Sequence, residues 1–138
     1  MEGGTRVTRF VIGPDVALRR LASDEATIPG EHELLAPTLL RSQVLSSLYQ
    51  EVQRGDLAKA DADRRLTYVR GLQMRLLGDR VLQNVAWKIA QQLGWSDTFD
   101  AEYVALTQLQ ADAFVTLDRR LARAASAIVT VATIEALV

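Results

Sequence analysis

The sequence predicts an α/β domain, a three-layer arrangement in which helices cover both faces of a central, mostly parallel sheet. Two observations carry that prediction. Short β-branched runs alternate with amphipathic segments along the chain, and Gly, Pro or Asp marks most changes of type.

The run over 8–12, Thr-Arg-Phe-Val-Ile, reads as a buried strand stopped by Gly13 and Pro14. Asp15 follows at once and suits the N-cap of a short helix carrying Val16, Ala17, Leu18 and Leu21. A polar loop is expected over 23–33. Thr38 is then placed to cap a helix whose Leu39, Leu40, Val44, Leu45, Leu48, Tyr49 and Val52 recur at three- and four-residue spacing, up to Gly55.

Asp56 is expected to open a second, more charged helix through Leu66, Val69 and Leu72, with Arg64, Arg65 and Arg70 on its surface. Residues 73–77 alternate as a strand does. The strongest helical pattern covers 79–93, with Asp79 as N-cap, Val81, Leu82, Val85, Ala86, Ile89, Ala90 and Leu93 as its stripe, and Gly94 as C-cap. Trp87 falls off that stripe, which exposes it. A further helix is expected to carry Phe99, Tyr103, Val104, Leu106 and Leu109 inward, before a strand over 113–117, a short arginine-rich helix opened by Asp118, and a last β-branched run over 127–131.

At 138 residues the chain fits one domain, 1–138, large enough to bury a core of its own. It has no cysteine, which excludes disulfides and thiolate metal sites, and its one histidine, His32, lies in a loop-like stretch with no thiol to activate. Nucleophilic triad chemistry is thereby excluded, and His32 is expected to be a solvent-exposed loop side chain. Sixteen basic against seventeen acidic residues give no bulk pull toward nucleic acid or anionic membrane. No apolar run has membrane-spanning length and the first five residues lack the pattern of a signal peptide, so a cytoplasmic protein is expected.

Three aspartates stand just past an apolar segment or at the mouth of a helix: Asp15, Asp100 and Asp118. In a parallel α/β sheet such positions can converge beyond the carboxyl ends of the strands. Carboxylates that converge repel one another unless a divalent cation sits between them, which would point to Mg²⁺ or Mn²⁺ and to phosphate chemistry. Each of the three is equally suited to capping a helix. Arg119, Arg120 and Arg123 flank the acidic positions and suit RNA phosphates, or simply solvate their helix. Trp95, Phe99 and Tyr103 offer aromatic faces nearby, with the core the expected place for Phe99 and Tyr103.

The segment Phe99-Asp100-Ala101-Glu102-Tyr103-Val104-Ala105-Leu106, followed by Ala113-Phe114-Val115-Thr116-Leu117-Asp118-Arg119-Arg120-Leu121, resembles the C-terminal half of a PIN domain, as in VapC-type toxin ribonucleases. The opening Phe10-Val11-Ile12 and the Leu35-Ala36-Pro37 entry to a helix extend the resemblance over nearly the whole chain. It implies a PIN-like α/β/α sandwich and a Mg²⁺-dependent ribonuclease, with an antitoxin-like partner and a homodimer. Of the four acidic residues that hold the metal in that family, two map onto Asp100 and Asp118. The other two are replaced by Gly13 and Gln43, with a carboxylate reappearing at Asp15.

The resemblance therefore implies an atypical site of weakened metal affinity, built from Asp15, Asp100 and Asp118 with the carbonyl of Gln43. Thr116, Arg119, Arg120 and Arg123 fall on its substrate side. It is also compatible with a decayed nuclease that serves as a nucleic-acid-binding, regulatory or protein-interaction module, Asp15 then being a cap.

Overall fold

The computed structural model describes residues 7–138, so the expectation about the first five residues lies outside them. Five strands, β1 (Thr8–Ile12), β2 (His32–Pro37), β3 (Met74–Leu77), β4 (Ala113–Val115) and β5 (Val131–Ala132), form one sheet in the order β3-β2-β1-β4-β5. Every pairing is parallel. The helices α1 (Leu39–Gln53), α2 (Lys59–Gly71), α3 (Arg80–Leu93), α4 (Phe99–Gln110) and α5 (Arg119–Ala125) complete a three-layer α/β/α fold.

The strands are short and carry Val, Ile, Leu and Phe on both faces because helices cover both. Val11, Ile12, Leu35, Ala36, Phe114 and Val115 are all fully buried. Against this sheet α4 contributes Ala101, Tyr103, Val104, Ala105 and Leu106, and α3 packs on α4 through Leu82, Ala86, Ile89 and Ala90. Asp79 opens α3 by accepting from Leu82 N at 2.8 Å, and Gly94 closes it with a left-handed φ of 69°.

The chain leaves β1 toward β2 on one side and later returns to β4 on the other. That reversal makes the carboxyl ends of β1 and β4 the switch point of the sheet, the place where ligands usually bind in open α/β sheets. Gly13 extends the pairing, its N–H donating to Val115 O at 3.1 Å. After it Val16–Ala22 winds as a π-helix, a form often associated with functional sites.

Several expectations are corrected. The strand β2 occupies part of the predicted polar loop: Leu34, Leu35 and Ala36 form an apolar run too short to separate from a helix entry, and they are central to the sheet. His32 is consequently no loop side chain. It begins β2, sets its ring edge-on to Phe10 at 5.1 Å, and buries Nδ1 without a partner. Asp56 pairs with Arg54 at 3.0 Å and does not open α2, which begins after Ala58. Thr38 makes no capping bond; its hydroxyl lies against Gly78, where an added Cβ would meet it at 2.9 Å.

The last strand begins later than expected, because 127–129 turn back through bonds to Ala124 and Ala125 before β5. Residues 116 and 117 leave β4 for the turn into α5. Phe99, Leu109 and Val81 are exposed instead of inward, and only Tyr103 of the two aromatics on α4 enters the core.

Candidate functional site

Four segments bring side chains to the carboxyl edge of the sheet. The turn after β1 holds Asp15, the turn after β4 holds Thr116 and Asp118, and α1, which follows β2, carries Gln43 in its second turn. The fourth is α4. Because it leads into β4 and runs antiparallel to it, its N-terminal turn lies at that same edge and carries Asp100 and Tyr103. These segments lie along one edge for a simple topological cause: strand ends and helix starts share one side of a parallel sheet.

Asp15 is held at both oxygens. Oδ1 accepts from Val16 N at 2.8 Å, while Oδ2 accepts from Leu117 N at 2.8 Å and from Thr116 Oγ1 at 3.1 Å. The side chain is therefore a cap for the π-helix and a tie between β1 and β4 at once. Gly13 makes room for it: a Cβ built there would stand 2.6 Å from Asp15 Oδ1. Gly13 does not have a positive φ, so its lack of a side chain serves the close approach of this carboxylate and not a left-handed turn.

Asp118 caps α5, with Oδ1 accepting from Arg120 N at 2.9 Å and Leu121 N at 3.1 Å. Thr116 Oγ1 in turn accepts from Asp118 N at 3.2 Å, so one hydroxyl links the two aspartates. Oδ2 of Asp118 is not used in these bonds.

Asp100, although exposed overall, has its carboxyl pKa raised, first by partial burial of the group and then by the charges of Asp118, Asp97 and Asp15. Among the described residues no cation forms an ion pair with Asp15, Asp100 or Asp118. This edge of the sheet thus carries three carboxylates without an ion-pair partner among the described residues. Arg119, Arg120 and Arg123 are exposed on α5 beside it, likewise without an ion-pair partner.

Gln43 is half-buried, and its Oε1 accepts from Tyr103 Oη at 2.6 Å. Tyr103 is only 2 % exposed. Its hydroxyl pKa is pushed far above the ordinary value, by burial first and then by Asp15, Glu102 and Asp100, so it acts as a donor at any working pH. The Gln43–Tyr103 bond was not foreseen; the helical spacing of Tyr103 signals burial but not what its hydroxyl reaches.

Among the described residues no group of three or more His, Cys, Asp or Glu side chains is spaced to hold a metal ion. The edge is acidic, but its three aspartates do not form a ready-made cage. A separate concavity of about 770 Å³ opens at the opposite, amino-terminal edge, where Tyr68 donates to Ala26 O and Arg75 pairs with Glu33 at 3.2 Å. Asp112 also lies at that edge, accepting from Arg9 N at 2.8 Å.

The same architecture exists elsewhere. A crystal structure of PAE2754 from Pyrobaculum aerophilum superposes with a TM-score of 0.71, over 96 % of this chain and 94 % of that one, at 22 % identity. The fold is shared. At this identity the likeness extends to the fold alone. No protein-family model matches the chain, and no curated protein matches it. Among the described residues no helix is long and apolar enough to cross a membrane.

Proposed function

We propose that the protein is a PIN-type, Mg²⁺- or Mn²⁺-dependent endoribonuclease that hydrolyses RNA phosphodiesters in the cytoplasm, with Asp100 and Asp118 as its principal metal ligands. The observation that carries this reading is the position of Asp15. Its carboxylate fills the space where a side chain at residue 13 would begin, so the end of β1 still presents an acid, one threonine hydroxyl away from the backbone of Asp118.

The donor set fits a hard cation of this kind. Asp100 and Asp118 both offer carboxylate oxygens, and Asp100 is both partly desolvated and repelled by its neighbours, a cost that a divalent cation would remove. Mg²⁺ is commonly held by one or two carboxylates together with waters and substrate phosphates, so the lack of a closed cage is compatible with it. Bound there, the cation would supply a Lewis acid for the phosphate and a lowered pKa for water.

The residues themselves do the positioning. Asp118 keeps Oδ2 available while Oδ1 holds α5. Asp15 is rigidly tied and acts through its charge and through ordered water. Arg119, Arg120 and Arg123, exposed and unpaired, can take the flanking phosphates of the RNA. The test is cleavage of RNA with Mg²⁺ and with EDTA, by the wild type, Asp100→Asn and Asp118→Asn. Loss of activity in EDTA and in both variants supports the reading, and activity indifferent to all three overturns it.

One observation favours a second reading, that of a decayed nuclease retained for nucleic-acid or protein binding. Both oxygens of Asp15 and the carbonyl of Gln43 are spent on bonds within the protein. Metal-independent RNA binding without cleavage would select it. An antitoxin-like partner and a homodimer belong to the first reading as proposals, checked by co-purification and by sedimentation.

A further inference from the structure

Gln43 stands near the start of α1, at the acidic edge of the sheet, with one end of its amide already committed. Tyr103 is buried, so its hydroxyl proton needs an acceptor inside the protein, and among the described residues Gln43 Oε1, at 2.6 Å, is the one it has. Turning the amide over would place N–H against O–H and leave the phenol proton stranded. The chemistry of the pair therefore fixes which end faces the tyrosine.

The other end carries two N–H donors. Gln43 Nε2 has no hydrogen-bond partner among the described residues, and it is not a buried atom either, so water reaches it. Tyr103 shares the first two turns of α4 with Asp100, and α1 starts at the carboxyl edge of the sheet where Asp15 stands, so the amide lies on the same side of the sheet as the aspartates. A cation needs a lone pair, and an N–H group offers none. A phosphate needs donors, and the carboxylates around it offer none.

We infer that Gln43 is a substrate-contacting residue, donating its amide N–H to a non-bridging phosphate oxygen of the RNA, and that Tyr103 is the positioning residue that holds the amide in that orientation. The inference deepens the ribonuclease reading and rests on it. It also gives the exchange of a carboxylate for Gln43 a consequence: one negative charge fewer faces the incoming phosphate, and a donor takes its place. Glutamate could accept from the same tyrosine but would repel the phosphate.

The test compares Gln43→Ala, Gln43→Glu and Tyr103→Phe with the wild type. Binding of a fluorescent single-stranded RNA is measured in EDTA, and KM, kcat and the Mg²⁺ midpoint of cleavage are measured with the metal. Loss of one donor to a charged oxygen should weaken RNA binding and raise KM by about tenfold in Gln43→Ala, leaving kcat and the Mg²⁺ midpoint nearly unchanged. Gln43→Glu should bind RNA more weakly still, and Tyr103→Phe should lose roughly threefold because its amide is free to turn.

A tighter Mg²⁺ midpoint in Gln43→Glu with RNA binding retained would make residue 43 a metal position and overturn the inference. So would wild-type RNA binding in both Gln43 variants, and that result would leave the ribonuclease reading standing. A wild type that neither binds nor cleaves RNA with Mg²⁺ removes the reading itself, and the inference with it. Thermal melts of each variant check folding, and Gln43, half-buried on α1, keeps the test valid should Tyr103→Phe not fold.

Discussion

The carboxylate of Asp15 reaches from the end of β1 to the end of β4, where its Oδ2 accepts from Leu117 N at 2.8 Å. One side chain thereby ties the two strands together at the switch point of the sheet. Its structural share is measurable without any activity assay. Asp15→Ala leaves the N–H groups of Val16 and Leu117 without their acceptor in a half-buried turn and should cost about 3 kcal/mol in urea unfolding. Thr116→Val, which removes one bond to Asp15, should cost about 1 kcal/mol.

Gly13 and Asp15 compete for the same space. Gly13→Ala pushes a methyl to within 2.6 Å of Asp15 Oδ1, so it should destabilise by about 1–3 kcal/mol although its φ is not positive. In an Asp15→Gly background the same substitution meets no carboxylate and should cost less. A double-mutant cycle reads this coupling directly. Additive effects would mean that the two positions do not share the space.

How much of this was legible in the sequence depends on whether the signal was local. The strand over 8–12, the helix from Asp79 to its glycine cap and the cap at Asp118 were readable, because each is written in neighbouring residues. The strand β2 was not. Its identity comes from pairing with both β1 and β3, which lie far off in the chain, and four apolar residues do not declare a period. The approach of Asp15 to β4 is topological in the same way: the distance between residues 15 and 117 is set by the sheet order.

Phe99 illustrates the opposite error. Its spacing with Tyr103 suggests a shared inward face, but it stands at the first position of α4, where the helix has just emerged, and is 51 % exposed. Phe99→Ala should therefore change stability by less than about 0.5 kcal/mol. Phe114→Ala, at a fully buried strand position, should cost about 3–5 kcal/mol. Similar losses at the two sites would return Phe99 to the core.

Asp100 contributes to the pH dependence with a definite sign. Its folded pKa lies above the ordinary 3.8, so the folded state holds the proton more tightly than the unfolded chain does. Stability associated with this group is present below pH 3.8 and is lost as pH rises through the folded value. In EDTA, Asp100→Asn should accordingly melt higher than the wild type at neutral pH, with the difference disappearing in acid. The gain is small because the residue is exposed and water screens its neighbours. Equal melting temperatures at neutral pH would mean that the mutual repulsion is negligible.

Asp118 has one role that the structure shows, the cap of α5, and one that is proposed, and two substitutions divide them. As the N-cap of α5 it accepts from Arg120 N and Leu121 N, and asparagine caps about as well as aspartate. Asp118→Asn should therefore keep its melting temperature while losing the charge that a cation or an activated water requires. Asp118→Ala should lose the charge and also about 1 kcal/mol of stability. If RNA cleavage falls by a hundredfold or more in a fully folded Asp118→Asn, the carboxylate is serving chemistry beyond its cap. If cleavage survives in asparagine and falls only in alanine, in step with stability, the cap is all that Asp118 supplies, and the acid at the end of β4 is structural.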